Sequence, residues 1–333
     1  MTGRVAVGAR ADTVGIVGAG GFGTGLAIAL ARAGRSVALY TKTAAVADAI
    51  RTTGRCPRLP EVAVPPAVHL VTDVAALAAA ARFLVIAVTS TDVGGRLAEL
   101  GGALDGNHLV VHAIGGLAAP EDTRVTELIE RLTPVLRVGV LAGPALPLDL
   151  AHGQFASMVL GSTFAEVASE GRRLFNLPPG LRVYTTTDVV GVELASALAG
   201  AYTVALGLAD GVGMGPGPRA VLVTRAVAEA SRLVAAQGGQ ARTVAGLAGL
   251  GNLLVRAGTQ DPDHQLGLAL ARGLAPSADR FTEGARAALA AIRVATRRGV
   301  HTPVLAGVAA VLTGKASVGD ATRLVADSVA AEE

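Results

Sequence analysis

A glycine-rich segment near the start of the chain, GAGGFG at residues 18–23, has the spacing G-x-G-x-x-G. In such loops the first glycine allows a tight turn, the second lets the backbone approach a diphosphate, and the third lets a helix pack on its strand. Free N–H groups at the start of that helix favour the negative charge. The pattern predicts a dinucleotide site, and the residues expected to bind there are Gly18, Gly20, Gly21, Phe22 and Gly23.

The end of the next apolar run, Ser36–Tyr40, bears on which dinucleotide binds. NAD-binding folds usually place an acidic residue there to accept a hydrogen bond from the ribose 2′-hydroxyl. This chain has Thr41 and Lys42 instead, which suit a 2′-phosphate. We expect NADP or NAD as the cofactor, with NADP favoured; alternatively, Lys42 is only a solvated surface charge.

The elements around the glycines form a strand–helix–strand unit. Val14–Val17 is a short β-rich run, Thr24–Ala33 has helical spacing, and Ser36–Tyr40 is a second strand. Five further segments are predicted as strands: Phe83–Val88, His108–Ala113, Val138–Leu141, Ser157–Leu160 and Arg182–Thr185. The first two are continuous apolar runs, typical of a parallel sheet with helices on both faces.

The pattern changes at Asp188. From there to Ala331 the chain has long Ala/Leu-rich segments with helical spacing, such as Val190–Leu208, Arg219–Gln237 and Glu283–Arg298. The sequence predicts an α/β fold, a Rossmann-type doubly wound parallel sheet, followed by an all-α C-terminal domain. The dinucleotide-binding domain is expected at 1–186, and a helical substrate and dimerisation domain at 187–333.

Composition excludes several classes of protein. A formal charge of +3, no tryptophan and no basic run argue against nucleic-acid binding. The longest apolar stretch, 74–88, is interrupted by Arg82 and is shorter than the roughly 20 residues that span a bilayer. Cys56 is the single cysteine, which fits a reducing cytoplasm. We expect a cytoplasmic protein without a metal site or membrane contact, and a homodimer through the apolar helices of 188–330.

Several segments resemble the soluble NAD(P)-dependent glycerol-3-phosphate dehydrogenases over nearly the whole chain. They are GAGGFGT at 18–24, DVVGVE at 188–193, Asp210–Gly213 with Arg219–Arg225, GLAGLGNL at 246–253 and GLALARG at 267–273. The resemblance implies a helical domain like that of 6-phosphogluconate dehydrogenase. It also implies hydride transfer from a nicotinamide to dihydroxyacetone phosphate, giving sn-glycerol 3-phosphate.

The family's catalytic positions hold other residues in this chain. Its lysine after the fourth core strand corresponds to Gly115, and its principal lysine with the following asparagine corresponds to Ala199 and Gly200. Its aspartate corresponds to Asn252. Since lysine is absent from residues 43–314, no shift of the alignment supplies one. The catalytic residues are therefore unknown from the sequence.

The phosphate-binding positions of the family are also changed. Its arginine and asparagine correspond to Pro262 and Asp263, and a threonine near them corresponds to Arg256. Asp263 would repel a phosphate, but Arg256 is expected close enough to neutralise it. The resemblance also implies that Glu283 matches a glutamate near the nicotinamide side of the cofactor. The substrate-pocket candidates are Asn252, Arg256, Asp263 and His264.

Each candidate has a plainer interpretation. Asn252 is alternatively a helix cap, Arg256 a solvated surface residue, and Glu283 a charge at a helix N-terminus. His264 lies in a segment expected to be a loop and is the better acid candidate, although loop histidines are usually only solvated. His112 is expected in the core, because strand side chains alternate between the two faces.

Three functional hypotheses follow. The first is a cofactor-binding protein that has lost glycerol-3-phosphate oxidoreduction, a pseudoenzyme with a regulatory or partner role. The second is an oxidoreductase that acts on a different carbonyl or alcohol with Arg256 and Asn252 as electrophilic groups. The third is a functional glycerol-3-phosphate dehydrogenase.

Overall fold

The computed structural model of the chain describes residues 12–258 and 260–327 and divides into two compact units. The described part of the first unit is 12–114 with 118–189, and that of the second is 115–117, 190–258 and 260–327. The sequence placed the boundary after residue 186, whereas the structure divides the chain between Val189 and Val190.

An eight-stranded sheet forms the first unit, in the order β10-β9-β8-β7-β6-β1-β2-β5. Neighbouring strands are parallel except for the antiparallel pair β8 and β9. The strands are β1 Thr13–Val17, β2 Ser36–Tyr40, β5 Val68–Val71, β6 Phe83–Ile86, β7 Leu109–His112, β8 Val138–Ala142, β9 Ala156–Gly161 and β10 Leu181–Thr186. A separate hairpin pairs β3 Arg55–Cys56 with β4 Leu59–Ala63.

Helices connect these strands, and two apolar clusters fill the space between them and the sheet. They are α1 Gly21–Arg32, α2 Ala44–Thr53, α3 Val74–Ala80, α4 Val93–Gly101, α5 Val125–Leu132, α6 Pro147–His152 and α7 Ala165–Phe175. Parallel neighbours need such crossovers, which explains the continuous burial of β1, β6 and β7. The Rossmann-type prediction is confirmed.

The differences from the predicted strands have local causes. The strands β3, β4 and β5 were not predicted from the sequence. β3 has two residues, and β4 contains Pro60, a residue that weakens a strand pattern. β7 begins after His108, whose ring contacts the carbonyl of Ala78 and residues of the preceding turn. His112 is completely buried, which agrees with its expected place in the core.

The second unit has helices and connecting loops but no named strand in its described residues, which agrees with the predicted helical domain. Its helices are α8 Val189–Gly211, α9 Pro216–Ala236, α10 Asn252–Arg256, α11 Pro262–Ala271, α12 Glu283–Arg298, α13 Pro303–Leu312 and α14 Val318–Asp327. Shorter turns occupy Ala241–Ala245, Leu247–Gly251 and Ala278–Arg280.

Helix α8 is the core of this unit, and nearly all of its side chains are buried. A Cβ at Gly207 would overlap the carbonyl of His264, and one at Gly267 would overlap the carbonyl of Val204. The two glycines therefore let the backbones of α8 and α11 touch. Within the described residues α8 alone is long and apolar enough to cross a membrane, but 89% of its most apolar window is buried inside the protein.

A buried carboxylate fixes the start of α13. Glu229 of α9 accepts hydrogen bonds from the N–H groups of Val304 and Leu305, at 2.9 and 3.0 Å, and from the Tyr202 hydroxyl at 3.0 Å. The first N–H groups of a helix have no partner within it, so the carboxylate takes the place of a cap. Burial raises the pKa of Glu229, although these donors oppose the shift.

Candidate functional site

The glycine loop between β1 and α1 has the geometry that its sequence predicts. Gly18 has a φ of +120°, and a Cβ there would lie 2.5 Å from the carbonyl oxygen of Ala87. Its N–H donates to the carbonyl of Tyr40 at 2.9 Å, which ties the loop to the end of β2. A side chain at Gly23 would overlap the carbonyl of Gly18. Both positions therefore require glycine.

Gly20 differs from its neighbours because no protein group fills the space beside it. A Cβ at this position would have only the Ala87 carbonyl within reach, at 4.0 Å. Gly20 is the N-cap residue of α1, and because glycine has no side chain it cannot accept a hydrogen bond from the first N–H groups of the helix. An open cradle at an uncapped helix N-terminus suits a diphosphate, and these residues fit a nicotinamide dinucleotide. Gly21 and Phe22 begin the helix.

At the end of β2, Thr41 and Lys42 have different surroundings. The buried Thr41 hydroxyl accepts a hydrogen bond from the Thr43 N–H at 3.3 Å. The Lys42 side chain is 67% exposed, and its ammonium lies 3.8 Å from Glu99 of α4. A largely exposed lysine remains available to a ligand, so the 2′-phosphate interpretation stays a prediction.

In the second unit, Arg256 joins two aspartates at the start of α11. Its Nε donates to Asp261 Oδ2 at 2.8 Å, and its Nη2 forms an ion pair with Asp263 Oδ2. The three side chains are only 18%, 9% and 2% exposed, respectively. The interpretation of Arg256 as a solvated surface residue is therefore wrong, and the expected neutralisation of Asp263 by Arg256 is present.

Two glycines from distant parts of the chain, Gly200 and Gly284, lie against this cluster. Asp263 Oδ1 accepts the N–H of Gly284 at 2.8 Å. A Cβ at Gly200 would lie 3.1 Å from Arg256 Nη1 and 3.2 Å from Asp263 Oδ2. The guanidinium thus lies against α8 at the position where the resemblance places the asparagine after the principal lysine.

The charges of the cluster influence one another. Burial raises the pKa of Asp263, and the adjacent Arg256 guanidinium only partly opposes this. Burial alone would lower the pKa of Arg256, but the carboxylates of Asp263 and Asp261 raise it. Arg256 therefore remains a cation, held in place from two sides. Such a group can stabilise negative charge that develops on an oxygen.

Sequence reasoning missed Asp261 and Gly284. The signal for Asp261 was present, since Asp followed by Pro262 is a common helix start, and the Asp261 side chain accepts the N–H of Asp263 at 2.9 Å. Nothing in the sequence indicated that the N–H of Gly284 would face Asp263, because the two are far apart in the chain.

His264 is not in a loop, so that expectation is wrong. It lies in the first turn of α11, is 5% exposed, and its Nε2 is 2.8 Å from Asp210 Oδ2. Asp210 Oδ1 in turn accepts from Arg219 Nε at 2.9 Å. Burial tends to raise the pKa of Asp210, but hydrogen bonds from Arg219 and His264 outweigh it and the pKa is lowered. This chain of contacts joins α8, α9 and α11.

The other positions that the resemblance singled out are Gly115, Ala199 and Asn252. A Cβ at Gly115 would lie 3.8 Å from Ser196 Oγ of α8, one helical turn before Gly200, and Ala199 is buried. Asn252 is the first residue of α10 and its side chain does not cap the helix, since Gly251 occupies the cap position.

Glu283 is the first residue of α12, and its carboxylate lies 2.6 Å from Arg286 Nη2. Glu283 is therefore an acidic residue at a helix N-terminus, in agreement with the alternative interpretation. Its proposed role towards the cofactor stays a prediction.

The glycine loop, the Rossmann-type sheet and the helical second unit together define a nicotinamide-dinucleotide-binding protein of the dehydrogenase class. Models of the N-terminal and C-terminal parts of NAD-dependent glycerol-3-phosphate dehydrogenase match residues 13–168 and 188–323. The chain belongs to this family.

Similar proteins support that assignment. Glycerol-3-phosphate dehydrogenase [NAD(P)+] of Sinorhizobium fredii is 37% identical over 309 residues, covering 91% of this chain and 92% of the relative. The enzyme of the same name from Bradyrhizobium diazoefficiens is 36% identical, covering 92% and 94%. A crystal structure of glycerol-3-phosphate dehydrogenase from Coxiella burnetii has a TM-score of 0.89 at 25% identity, covering 95% of this chain and 99% of that chain. NAD or NADP is accordingly the cofactor.

Proposed function

We propose that this chain is an active NAD(P)-dependent oxidoreductase that interconverts a small alcohol and its carbonyl compound, with Arg256 as the positive group at the substrate. The observation that carries the proposal is the Arg256 guanidinium, held by Asp261 and Asp263 against Gly200. Residues 115 and 199, where the resemblance places the family's lysines, are glycine and alanine. The Arg256 guanidinium lies against Gly200, which follows position 199 in the chain, and so supplies a cation there.

The chemistry requires such a cation. The bound nicotinamide supplies or accepts the hydride at the substrate carbon. When hydride reaches a carbonyl carbon, negative charge develops on the oxygen, and a fixed positive group lowers the barrier. The guanidinium of Arg256 keeps its charge, and its two ion pairs restrict its orientation, so it meets both conditions.

The same two aspartates indicate the substrate's charge. Asp261 and Asp263 bring two carboxylates to one guanidinium. The resemblance places a neutral asparagine at the position of Asp263. The proposed oxyanion lies at the guanidinium, whereas a phosphate dianion beside the two carboxylates would meet like charge, which disfavours its binding. We therefore favour a substrate without a phosphate group.

Oxidoreduction of glycerol 3-phosphate is the second candidate. It is favoured by the 37% identity to the Sinorhizobium fredii enzyme over 91% of the chain. Loss of activity, the first hypothesis drawn from the sequence, has no support among the relatives.

The test is turnover with NADPH and NADH against small aldehydes, ketones and their alcohols, in both directions. We expect saturable turnover of at least one unphosphorylated substrate. Arg256→Gln should lower its kcat/KM by about 10²–10³ at a temperature where the variant is folded, because a preorganised electrostatic contact is lost. Arg256→Lys should retain more activity than Arg256→Gln. As a matched control, Arg298→Met removes an exposed arginine of α12 and should change nothing.

No turnover with any unphosphorylated compound, together with efficient turnover of dihydroxyacetone phosphate, would favour the second candidate. Unchanged kcat/KM in Arg256→Gln would remove Arg256 from the mechanism.

We also propose a homodimer formed through the second unit. The second unit contains three large apolar side chains that are each about half exposed, Val212, Val221 and Leu254, and a subunit contact would cover them. Sedimentation at micromolar concentration should show a dimer, and a monomer alone would contradict it. The cytoplasmic location expected from Cys56 stays a prediction.

A further inference from the structure

Four side chains form a charged cluster beside the end of β2, which we call the ribose-end cluster: Tyr40, Lys42, Arg96 and Glu99. Arg96 of α4 is buried and donates to Glu99 Oε1 from Nη2 at 2.8 Å, and its Nη1 contacts Glu99 Oε2. The same Nη1 donates to the Tyr40 hydroxyl at 3.3 Å. The Lys42 ammonium lies 3.8 Å from Glu99 Oε1. One carboxylate thus faces two cations.

The cluster is connected to the cofactor loop through the backbone. Gly18 donates its N–H to the carbonyl of Tyr40, and Thr41 follows directly. In folds of this class the ribose that carries the 2′-hydroxyl or 2′-phosphate binds at the end of the second strand. The usual acid is missing from that strand end, and Glu99 on α4 is a carboxylate that reaches the same place.

The two cations differ in freedom. The Arg96 side chain is 9% exposed and is held by both Glu99 and Tyr40, so it stays where it is. Lys42 is 67% exposed, and its ion pair with Glu99 is long at 3.8 Å, so the pair is worth little in solvent. A new anion at this place would therefore attract Lys42 away from Glu99 at small cost.

We propose that Glu99 is the residue that sets the choice between NADP(H) and NAD(H), by competing with the 2′-phosphate for Lys42. With NADP(H) bound, Lys42 turns from Glu99 to the phosphate, while Glu99 continues to position Arg96. With NAD(H) bound, Lys42 stays with Glu99. The negative charge of Glu99 thus weakens NADP(H) binding and leaves NAD(H) binding unaffected, so both cofactors are accepted. The inference depends on dinucleotide binding and not on the proposed substrate.

Glu99→Gln tests this, because it removes the charge and keeps one oxygen that accepts from Arg96. The readout is the Kd of NADPH and of NADH, measured by fluorescence titration of the protein without substrate. We expect the Kd of NADPH to fall about two- to fivefold, the range for an exposed charge interaction, with the Kd of NADH unchanged. The gain should shrink at high salt, since exposed charges are screened.

Two further variants complete the design. Lys42→Ala should weaken NADPH binding, and in Lys42→Ala/Glu99→Gln the gain from Glu99→Gln should disappear because the contested cation is absent. Glu130→Gln, which changes an exposed glutamate of α5, is the matched control and should leave both Kd values unchanged.

An unchanged or higher Kd for NADPH in Glu99→Gln would overturn the proposal. A weaker NADH complex in that variant would also overturn it, since it would mean that Glu99 accepts the 2′-hydroxyl directly. Should Glu99→Gln fail to fold, Lys42→Ala decides alone: equal NADPH affinity in Lys42→Ala and the wild type would overturn the proposal.

Discussion

Arg256 and Asp263 form a nearly buried ion pair that lies against the backbone of Gly200. Asp263 also accepts the N–H of Gly284, and a Cβ at Gly284 would overlap the carbonyl of Gly200. Glycine at 200 and 284 leaves the space that this pair fills. Gly200 and Asp263, which the resemblance places at changed family positions, are therefore physically compatible with each other.

Removing the cation of this pair should destabilise the protein. Arg256→Gln leaves Asp263 and Asp261 without their partner in a buried place, and breaking such a pair typically costs about 3–5 kcal/mol. Urea unfolding measures the change in the free energy of unfolding. A loss below about 1 kcal/mol, as for a surface pair, would contradict the burial described for the cluster.

A double-mutant cycle with Asp263→Asn separates the pair from its surroundings. Asparagine keeps an acceptor for Gly284 and removes the charge. Because the two residues touch, the effects of Arg256→Gln and Asp263→Asn should be non-additive by about 0.5–3 kcal/mol. Strict additivity would show that the side chains do not interact in solution.

The buried Glu229 should make stability depend on pH. Its pKa is raised by burial, so between its unfolded pKa of about 4.3 and the higher folded pKa the native state binds more protons than the unfolded state. This contribution to stability is complete below pH 4.3 and is lost as pH rises through the folded pKa. The free energy of unfolding of the wild type should therefore fall, relative to Glu229→Gln, as pH rises.

Glu229→Gln itself should cost about 1–3 kcal/mol at acidic pH, because one of the N–H groups at the start of α13 loses its acceptor. Unfolding at several pH values between 4.5 and 7.5 gives the comparison. If the free energy of unfolding of the wild type rose relative to that of Glu229→Gln as pH increased, the raised pKa of Glu229 would be contradicted.

The glycines of the loop should separate into two classes. Gly20→Ala meets only the Ala87 carbonyl at 4.0 Å, so we expect stability within about 1 kcal/mol of the wild type. Its methyl group would occupy the diphosphate cradle, and the Kd of NAD(P)H should rise at least about tenfold. Gly23→Ala would overlap the carbonyl of Gly18 and should cost about 1–3 kcal/mol in stability as well.

Gly102→Ala is the control, because nothing lies within 4 Å of its added Cβ. It should change neither stability nor cofactor affinity. If Gly20→Ala bound the cofactor as tightly as the wild type, the diphosphate would have to bind elsewhere than at this loop.

The sequence predicted those features that depend on local patterns. The glycine spacing predicted the loop, and the structure shows a backbone restriction at Gly18 and Gly23 and open space beside Gly20. The long apolar helices were evident from their periodicity. The neighbourhood of Arg256 and Asp263 was also foreseeable, because the two residues are close in the chain.

Other contacts could not be read from the sequence, since they join distant segments. The burial of His264 depends on Asp210, and the Gly284 N–H reaches Asp263 only through the packing of α12 against α11. The role of Arg96 and Glu99 beside Tyr40 likewise required the position of α4 relative to β2. Residues far apart in sequence gave no periodic or spacing signal.

The most direct test of the proposed substrate preference compares dihydroxyacetone phosphate with dihydroxyacetone, the same ketone without its phosphate. The quantity is the ratio of their kcat/KM values, measured with NADPH and with NADH. The carboxylates of Asp261 and Asp263 lie beside the Arg256 guanidinium and disfavour a phosphate there, so we predict a ratio of about one or less. Turnover of the unphosphorylated ketone should exceed the uncatalysed rate. A preference of about 100-fold or more for the phosphate ester, equivalent to roughly 2.7 kcal/mol of phosphate recognition, would contradict the account.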